Sequence, residues 1–292
     1  MKISVITVAY KNSKVVIDLL NSIAKYNDIG NELEVIVVDN SPEYARIEEA
    51  IKIAEYEDYI YIKADNKGFG AGNNRGAEIA RGDILAFLNP DIILIEPIFK
   101  KICEKFAEDE KLAWLGGQLL LADGKKNLSY GYRFEYRGLF WGAIVNFLNH
   151  FFPLFFVGKM YLTGADIVIR KDIFEQIGCF DENIFMYHEE ADLMQRILRL
   201  NDDYKFKFFP DIRMIHLEGQ STPFRAEAYK KDMVSAVYYA KKYGIDYKKI
   251  YYREYKSHKW KLLIDKIFRP QIAKQREYAI KVLEEQFPEF IN

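Results

Sequence analysis

An amide and a carboxylate flank a proline at Asn89-Pro90-Asp91, directly after the apolar run Ile84–Leu88. Pro90 lacks a backbone N–H and has a fixed φ, so it ends a strand and holds both neighbours in an extended turn. Two hard oxygen donors at a strand end suit a hydrated Mg²⁺ or Mn²⁺ whose other ligands are substrate phosphates. Asn-Pro-Asp is also a good turn in its own right, and the motif alone does not decide between the two.

The segment Asp65–Gly76, DNKGFGAGNNRG, sets four glycines and three asparagines between a strand and a helix. Glycines there permit close backbone approach to a ligand and leave amide donors at a helix start, as in a phosphate cradle. A dinucleotide fingerprint competes, since Gly68-x-Gly70 begins one and Asp91 lies near the distance of a ribose-binding acid. Against it, Asn73 holds the third glycine position and the unit is not the first in the chain. No Walker lysine pattern is present, which argues against a P-loop ATPase.

Further on, Leu193, Met194, Ile197 and Leu198 recur at helical spacing, so a helix starts near His188 with Glu189, Glu190 and Asp192 in its first turn. Acids in that turn complement the helix dipole. Following a run of aromatics, they equally make a general-base site. His216 stands near the end of a short strand ahead of a glycine, where an imidazole is either structural or a ligand for an ion such as Mn²⁺.

The elements that must hold these residues alternate. Strand-like runs Ile3–Ala9, Leu33–Asp39, Tyr59–Lys63 and Ile84–Leu88 are each followed by an amphipathic stretch: 15–26, 44–56, 72–81 and 97–106. Such alternation predicts βαβ units and a largely parallel sheet, whose ligands sit at the carboxyl ends of the strands. Tyr10-Lys11, Asp39-Asn40-Ser41, Asp65-Asn66 and Asn89-Pro90-Asp91 then share one edge. After Leu112 the pattern becomes shorter and mixed.

Composition narrows the class. The 292 residues are half hydrophobic, enough for one large core or one core plus a small annex, with one main domain expected, and the net charge of −1 does not point to nucleic acid. Cys103 and Cys179 lie in apolar contexts without CxxC spacing, as buried thiols of a reducing compartment do. The start, MKISVITVAY, enters a strand without signal-peptide features, so a cytoplasmic location is expected.

Leu139–Gly158 contains no Asp, Glu, Lys or Arg, but Pro153, Asn146, Asn149 and His150 interrupt it. A buried hairpin, a segment dipping into a bilayer interface, and a membrane span all stay open. The tail Tyr247–Lys281 is rich in Lys, Arg and aromatic residues, as a surface lying on anionic lipid or a set of solvated helical faces would be.

In their order, ISVITVAYKNS, LEVIVVDNS, NKGFGAGNNRG, LAFLNPD, LTGADIVIRKDIF, GCFDENIFMYHEEADL and IHLEGQST resemble the family 2 glycosyltransferases over about Ile3–Thr222. Asn-Pro-Asp in place of the more usual Asp-x-Asp is similar to the bacterial rhamnosyltransferase branch. The resemblance implies an α/β GT-A fold, a mostly parallel central sheet flanked by helices, over residues 1–222. A basic, aromatic-rich C-terminal helical extension would occupy residues 223–292.

It also implies roles. Asp39 would meet the nucleotide base, with Ala9 and Tyr10 lining the same pocket, and Asn66, Gly68 and Asn73 would border the nucleotide and donor sugar. Asp91 would be the main contact of a divalent cation, Mg²⁺ or Mn²⁺, with Asn89 replacing the missing first aspartate and His216 a further ligand. Glu190 would be the catalytic base, flanked by Glu189 and Asp192.

The implied reaction is an inverting transfer from a nucleotide-diphospho-sugar, thymidine diphosphate rhamnose or a uridine diphosphate hexose, to a saccharide or lipid-linked acceptor at a membrane surface in cell-surface polysaccharide synthesis. A nicotinamide enzyme and a non-catalytic sugar-nucleotide-binding protein are the rivals.

Overall fold

The computed structural model describes residues 1–137, 154–217 and 226–291. Most of the uncharged stretch Leu139–Gly158, and the Glu218–Thr222 end of IHLEGQST, lie outside them. The chain divides into two compact units, one of Met1–Gly131 with Met160–Pro223, the other of Tyr132–Lys159 with Phe224–Asn292.

The first unit is built on strands β1 (Ile3–Ala9), β2 (Leu33–Asp39), β3 (Tyr59–Lys63) and β4 (Ile84–Leu88), whose bounds match the four apolar runs. They lie parallel in the order β3-β2-β1-β4. All seven residues of β2 and all five of β4 are buried, as continuous apolar strands covered on both faces must be. Being parallel, the four strands deliver their following turns to one edge of the sheet.

Beyond β4 the direction mixes. The remaining strands of this sheet are β5 (Ile92–Leu94), β6 (Leu112–Leu120), β9 (Asp166–Arg170) and β10 (Lys205–His216), while β7 (Tyr130–Tyr132) and β8 (Met160–Leu162) pair with each other. β9 runs antiparallel to both β4 and β6, β10 parallel to β6, and β5 antiparallel to β10, completing the order β3-β2-β1-β4-β9-β6-β10-β5. The strand bearing His216 is 12 residues long rather than short. Its register against β6 shifts between Phe209 and Arg213, where Pro210 cannot donate to the ladder.

Helix α1 (Ser13–Tyr26) covers one face through Val15, Val16, Leu19, Leu20 and Ile23. The short α2 (Ile47–Ile51) and, further along, α4 (Phe99–Glu108) add Ile51, Phe99, Ile102 and Phe106 to the same core. On strand β4, Phe87 packs with Phe174 and Phe180, ring centroids 5.0 and 5.2 Å away. Helix α3 (Phe69–Ile79) starts three residues before the helical stretch expected from Gly72, so Gly70 joins Gly72 and Gly76 in the helix. Packing explains it: a Cβ on Gly76 would fall 2.4 Å from Ile6 and one on Gly72 2.9 Å from Val8, so only glycine lets this helix approach β1.

Two further helices of this unit are the short α5 (Lys171–Gln176) and α6 (Glu189–Leu200). Cys103, within α4, and Cys179, in the turn after α5, are free thiols, half-buried rather than buried.

The second unit contains helices α7 (Ala226–Tyr243), α8 (Tyr247–Phe268) and α9 (Pro270–Gln286). Asp246 caps α8 by accepting from the Lys249 amide at 3.1 Å, and Pro270 opens α9, where a missing N–H leaves no helical bond unmade. Arg253 donates to the carbonyls of Arg137 and Glu135, both at 2.7 Å, and Phe134 packs on Tyr251. Fully buried Asp265 accepts from Arg276 and is ion-paired with Arg269, tying α8 to α9. Among the described residues no helix is long and apolar enough to cross a membrane.

Candidate active site

Asp39 ends β2 at 1% exposure. Its Oδ1 accepts the Ser41 amide at 2.8 Å, and its Oδ2 accepts the Tyr61 hydroxyl at 2.7 Å and Lys63 Nζ at 2.6 Å. Burial pushes its pKa up, but the hydrogen bonds from Lys63, Ser41 and Tyr61 outweigh this and hold the carboxyl below the usual range. Lys63 also donates to the Ser41 carbonyl at 2.6 Å.

These groups form one wall of a cleft of ≈ 610 Å³ lined by Asn40–Glu43, Lys63–Lys67, Ala71 and Arg75. Predicted Asn66 lines it, whereas Asp39 lies beneath the wall and Lys63 stands in it. Beside it, Lys11 adopts φ +60° and donates its amide to Ser41 Oγ at 2.7 Å. Its ammonium lies 5.0 Å from the Tyr10 ring and 5.8 Å from the Tyr44 ring. Ala9 is wholly buried, and its carbonyl accepts the Asn40 amide at 3.0 Å.

The glycines expected to approach a ligand approach protein instead. Gly68 has φ +113°, and a Cβ there would sit 2.3 Å from the Phe185 carbonyl oxygen, which accepts the Phe69 amide at 2.9 Å. Gly70 abuts Phe180. Asn73 turns its amide to the Phe69 carbonyl at 3.1 Å, and Asn74 exchanges hydrogen bonds with the Phe180 backbone, both at 3.0 Å. The loop 180–185 is thereby fixed to the start of α3.

Asn89, Pro90 and Asp91 bridge β4 and β5. Asp91 is 1% exposed, and His216 Nε2 stands 3.3 Å from its Oδ1. The antiparallel register explains the meeting: His216 faces Ile92, the residue after Asp91, and the Leu217 amide donates to the Asp91 carbonyl at 3.0 Å. Two ligands at right angles around an ion, each about 2.1 Å away, are about 3 Å apart, so this carboxylate and imidazole fit one Mg²⁺ or Mn²⁺. Among the described residues no cluster of three His, Cys, Asp or Glu forms.

The three acids of α6 differ in their surroundings. Asp192 is fully buried and accepts Arg196 Nε at 2.8 Å, while Arg196 also holds the Ile177 carbonyl at 2.6 Å. Glu189 is buried. Glu190 is half-buried, and its Oε1 accepts the Gly164 amide at 2.9 Å. A Cβ on Gly164 would lie 2.3 Å from that oxygen. Tyr187 and His188, both at φ +71°, turn the chain into the helix through a left-handed pair that non-glycine residues rarely adopt.

Gly164 also links the acid to the Asn89–Asp91 turn, because the carbonyl of the next residue, Ala165, accepts the Asn89 amide at 3.0 Å. The structure therefore ties Asn89 to Glu190 through the Gly164-Ala165 pair, brings His216 to within 3.3 Å of Asp91, and leaves Asp192 engaged by Arg196. Lys63 and Gly164 were missed in the sequence. Lys63 closes the third predicted strand and could have been found by inspecting last strand residues as well as those following. Nothing local marks Gly164, whose missing side chain matters only against Glu190.

A sheet of this order, with its polar turns on one edge beside a helix-borne acid, defines the GT-A class of nucleotide-diphospho-sugar transferases. The chain belongs to glycosyltransferase family 2: the sequence profile "Glycosyl transferase family 2" matches residues 4–178. It is 27% identical over 209 residues to the low-salt glycan biosynthesis hexosyltransferase of Haloferax volcanii, covering 68% of this chain and 62% of that protein. The chain thus spans under two thirds of that relative's length. It is 32% identical over 62 residues, 21% of this chain and 20% of the other, to the N-acetylglucosaminyl-diphospho-decaprenol L-rhamnosyltransferase of Mycobacterium tuberculosis.

Among solved structures, the mannosyltransferase PcManGT from Pyrobaculum calidifontis, in complex with GDP-Man and Mn²⁺, matches with TM-score 0.57 at 14% identity, covering 82% of this chain and 64% of that one. S. aureus TarS 1-349 in complex with UDP matches with TM-score 0.55 at 18% identity, covering 88% and 70%.

Proposed function

We propose that the protein transfers a sugar from a nucleotide diphosphate to a hydroxyl of a saccharide or lipid-linked saccharide acceptor, with inversion, in cell-surface polysaccharide synthesis. The observation that carries this is the tie of Asn89 to Ala165 and of Gly164 to Glu190, which sets a candidate base beside a candidate cation turn. A nicotinamide enzyme is not favoured, because the glycines of its supposed fingerprint are filled by protein.

Asp91 and His216 are the residues that would hold the divalent cation, with Asn89 beside them. A cation bound there supplies positive charge for the departing diphosphate. Glu190, anchored at Oε1 by Gly164, orients the acceptor hydroxyl and takes its proton as the new glycosidic bond forms. A carboxylate is a weak base for an alcohol, so its fixed position matters more than its basicity.

Base recognition falls to the cleft at Asn40–Glu43 and Lys63–Lys67. Asp39 reads the base's N–H once Lys63 swings off Oδ2 and turns to the adjacent carbonyl. The flexible Lys63 stem, 37% exposed, makes this a rotamer change. An acceptor beside a donor complements the imide edge of thymine or uracil. Similarity to a rhamnosyltransferase supports thymidine diphosphate rhamnose as donor, and a solved UDP complex of the same fold supports a uridine diphosphate hexose as the alternative.

The deciding experiment incubates the protein with a panel of nucleotide sugars and Mg²⁺ or Mn²⁺, with a chelator control, and determines the anomeric configuration of the product by NMR. Cation-dependent release of one nucleoside diphosphate and an inverted product are expected. Turnover undiminished by chelator, or a retained configuration, would refute the assignment.

A further inference from the structure

Helix α8 ends in an apolar stripe that is left uncovered among the described residues. Trp260, Leu263, Ile264, Ile267 and Phe268 are between 39% and 74% exposed, whereas Tyr251, Tyr255 and Asp265 on the opposite side are buried. Spacings of three, four and seven residues put the first four on one strip about 100° wide. A soluble monomer rarely leaves so many large side chains together in water.

The charges of the same helix are sorted. Its two acids, Glu254 and Asp265, are turned inward, Glu254 beside His258 and Asp265 onto Arg269 and Arg276. Lys256 lies along the stripe, with its ammonium 4.3 Å from the Tyr252 ring. Lys259 and Lys266 border one side at helical positions, Lys266 also reaching Glu277 of α9 at 3.0 Å, and Lys261 borders the other. A second copy of the chain would bring these lysines against each other, whereas an anionic lipid surface meets both the apolar strip and its basic margins.

We propose that α8 lies in the plane of an anionic bilayer, with Trp260, Leu263, Ile264, Ile267 and Phe268 among the upper acyl chains and Lys256, Lys259, Lys261 and Lys266 on the headgroups. The transfer reading enters only as the reason a membrane is useful, since a lipid-linked acceptor would be presented there. Binding itself depends on α8 alone.

The test is flotation of the full chain with vesicles of phosphatidylcholine, with or without about 30% phosphatidylglycerol. The chain is expected to float with the anionic vesicles, and less so in high salt. Leu263→Ser with Ile267→Ser should lower the bound fraction about tenfold or more. Lys259→Glu with Lys266→Glu should do likewise, at about fivefold for each lysine lost. Ile53→Ser, at an equally exposed position of the other unit, should leave binding unchanged.

Brominated lipid should quench tryptophan emission in the parent and less in Trp260→Phe. Failure to float, floating unaltered by the stripe variants, a dimer that those variants dissolve without lipid, or Trp260 already shielded from acrylamide before vesicles are added would each overturn the proposal. Transfer to a water-soluble acceptor, measured in parallel, separates the two claims. Turnover without flotation refutes only the membrane surface, and flotation without turnover only the transfer.

Discussion

The amide of Gly164 donates to Glu190 Oε1 at 2.9 Å, and no other residue type fits at position 164 without displacing that oxygen. A Cβ would come within 2.3 Å of it and 3.0 Å of the carboxyl carbon. Gly164→Ala is therefore expected to move the proposed base by about an ångström and lower kcat on the order of 10²-fold, with the donor KM little changed. Steady-state kinetics beside thermal unfolding checks this. Combining it with Glu190→Gln should cost little beyond the larger single effect, since both act on one carboxylate.

Asp192 should behave as an anchor and not as a base. It is fully buried on Arg196, and removing it strands a guanidinium that is itself largely covered. Asp192→Ala is expected to destabilise the fold by about 3–5 kcal/mol. Glu190→Gln, at a half-buried position, should leave unfolding within about 1 kcal/mol of the parent while abolishing transfer. The reverse pattern in urea titrations and activity assays would exchange the roles.

Acid should unfold the protein partly through Asp39 and Glu34. Burial raises both carboxyls, but Asp39 is held down by Lys63, Ser41 and Tyr61, and Glu34 by Ser4 and Arg81. With the folded pKa below the unfolded value of about 4, each contributes stability that is complete above that pH and lost as pH falls through the folded pKa. Asp39→Asn should lower stability by about 2 kcal/mol at pH 7 and flatten the loss below about pH 4 in urea titrations.

Asp166 has the opposite sign. It opens β9 at 0% exposure, its Oδ2 accepts the Gly117 amide at 2.7 Å, and its Oδ1 has no hydrogen-bond partner among the described residues. Burial pushes its pKa well above the usual carboxylate range, opposed only by that amide. A raised folded pKa means that stability falls as pH rises above the unfolded value. Asp166→Asn can keep the bond to Gly117 without the charge, and is expected to gain on the order of 1–3 kcal/mol at pH 7 and to reduce the loss at higher pH. Thermal unfolding across pH 5–9 measures it.

The apolar, β-branched runs of the sequence were sufficient for β1 to β4; β2 and β4, buried throughout, must be apolar on both faces, which is a local property, and half-buried β3 at the sheet edge keeps the same β-forming residue types. It was sufficient too for the start of α6 at Glu189, since helical spacing and first-turn acids are local signals. The amphipathic stretch at 44–56 shrank to a 3₁₀ turn and the five residues of α2, where local pattern exceeded what the core accepts.

Tertiary structure alone decided the rest. His216 meets Asp91, 125 positions away, only because β5 turns back antiparallel along β10 and a bulge near Pro210 sets their register. Gly164 matters only opposite Glu190, and the glycines of α3 only against Ile6, Val8 and the 180–185 loop. Whether a Lys63 guards Asp39, or Trp260 is left bare while Tyr255 is covered, depends on which neighbours fill the adjoining space. Residue type and spacing state which contacts a chain can make; packing in three dimensions selects among them.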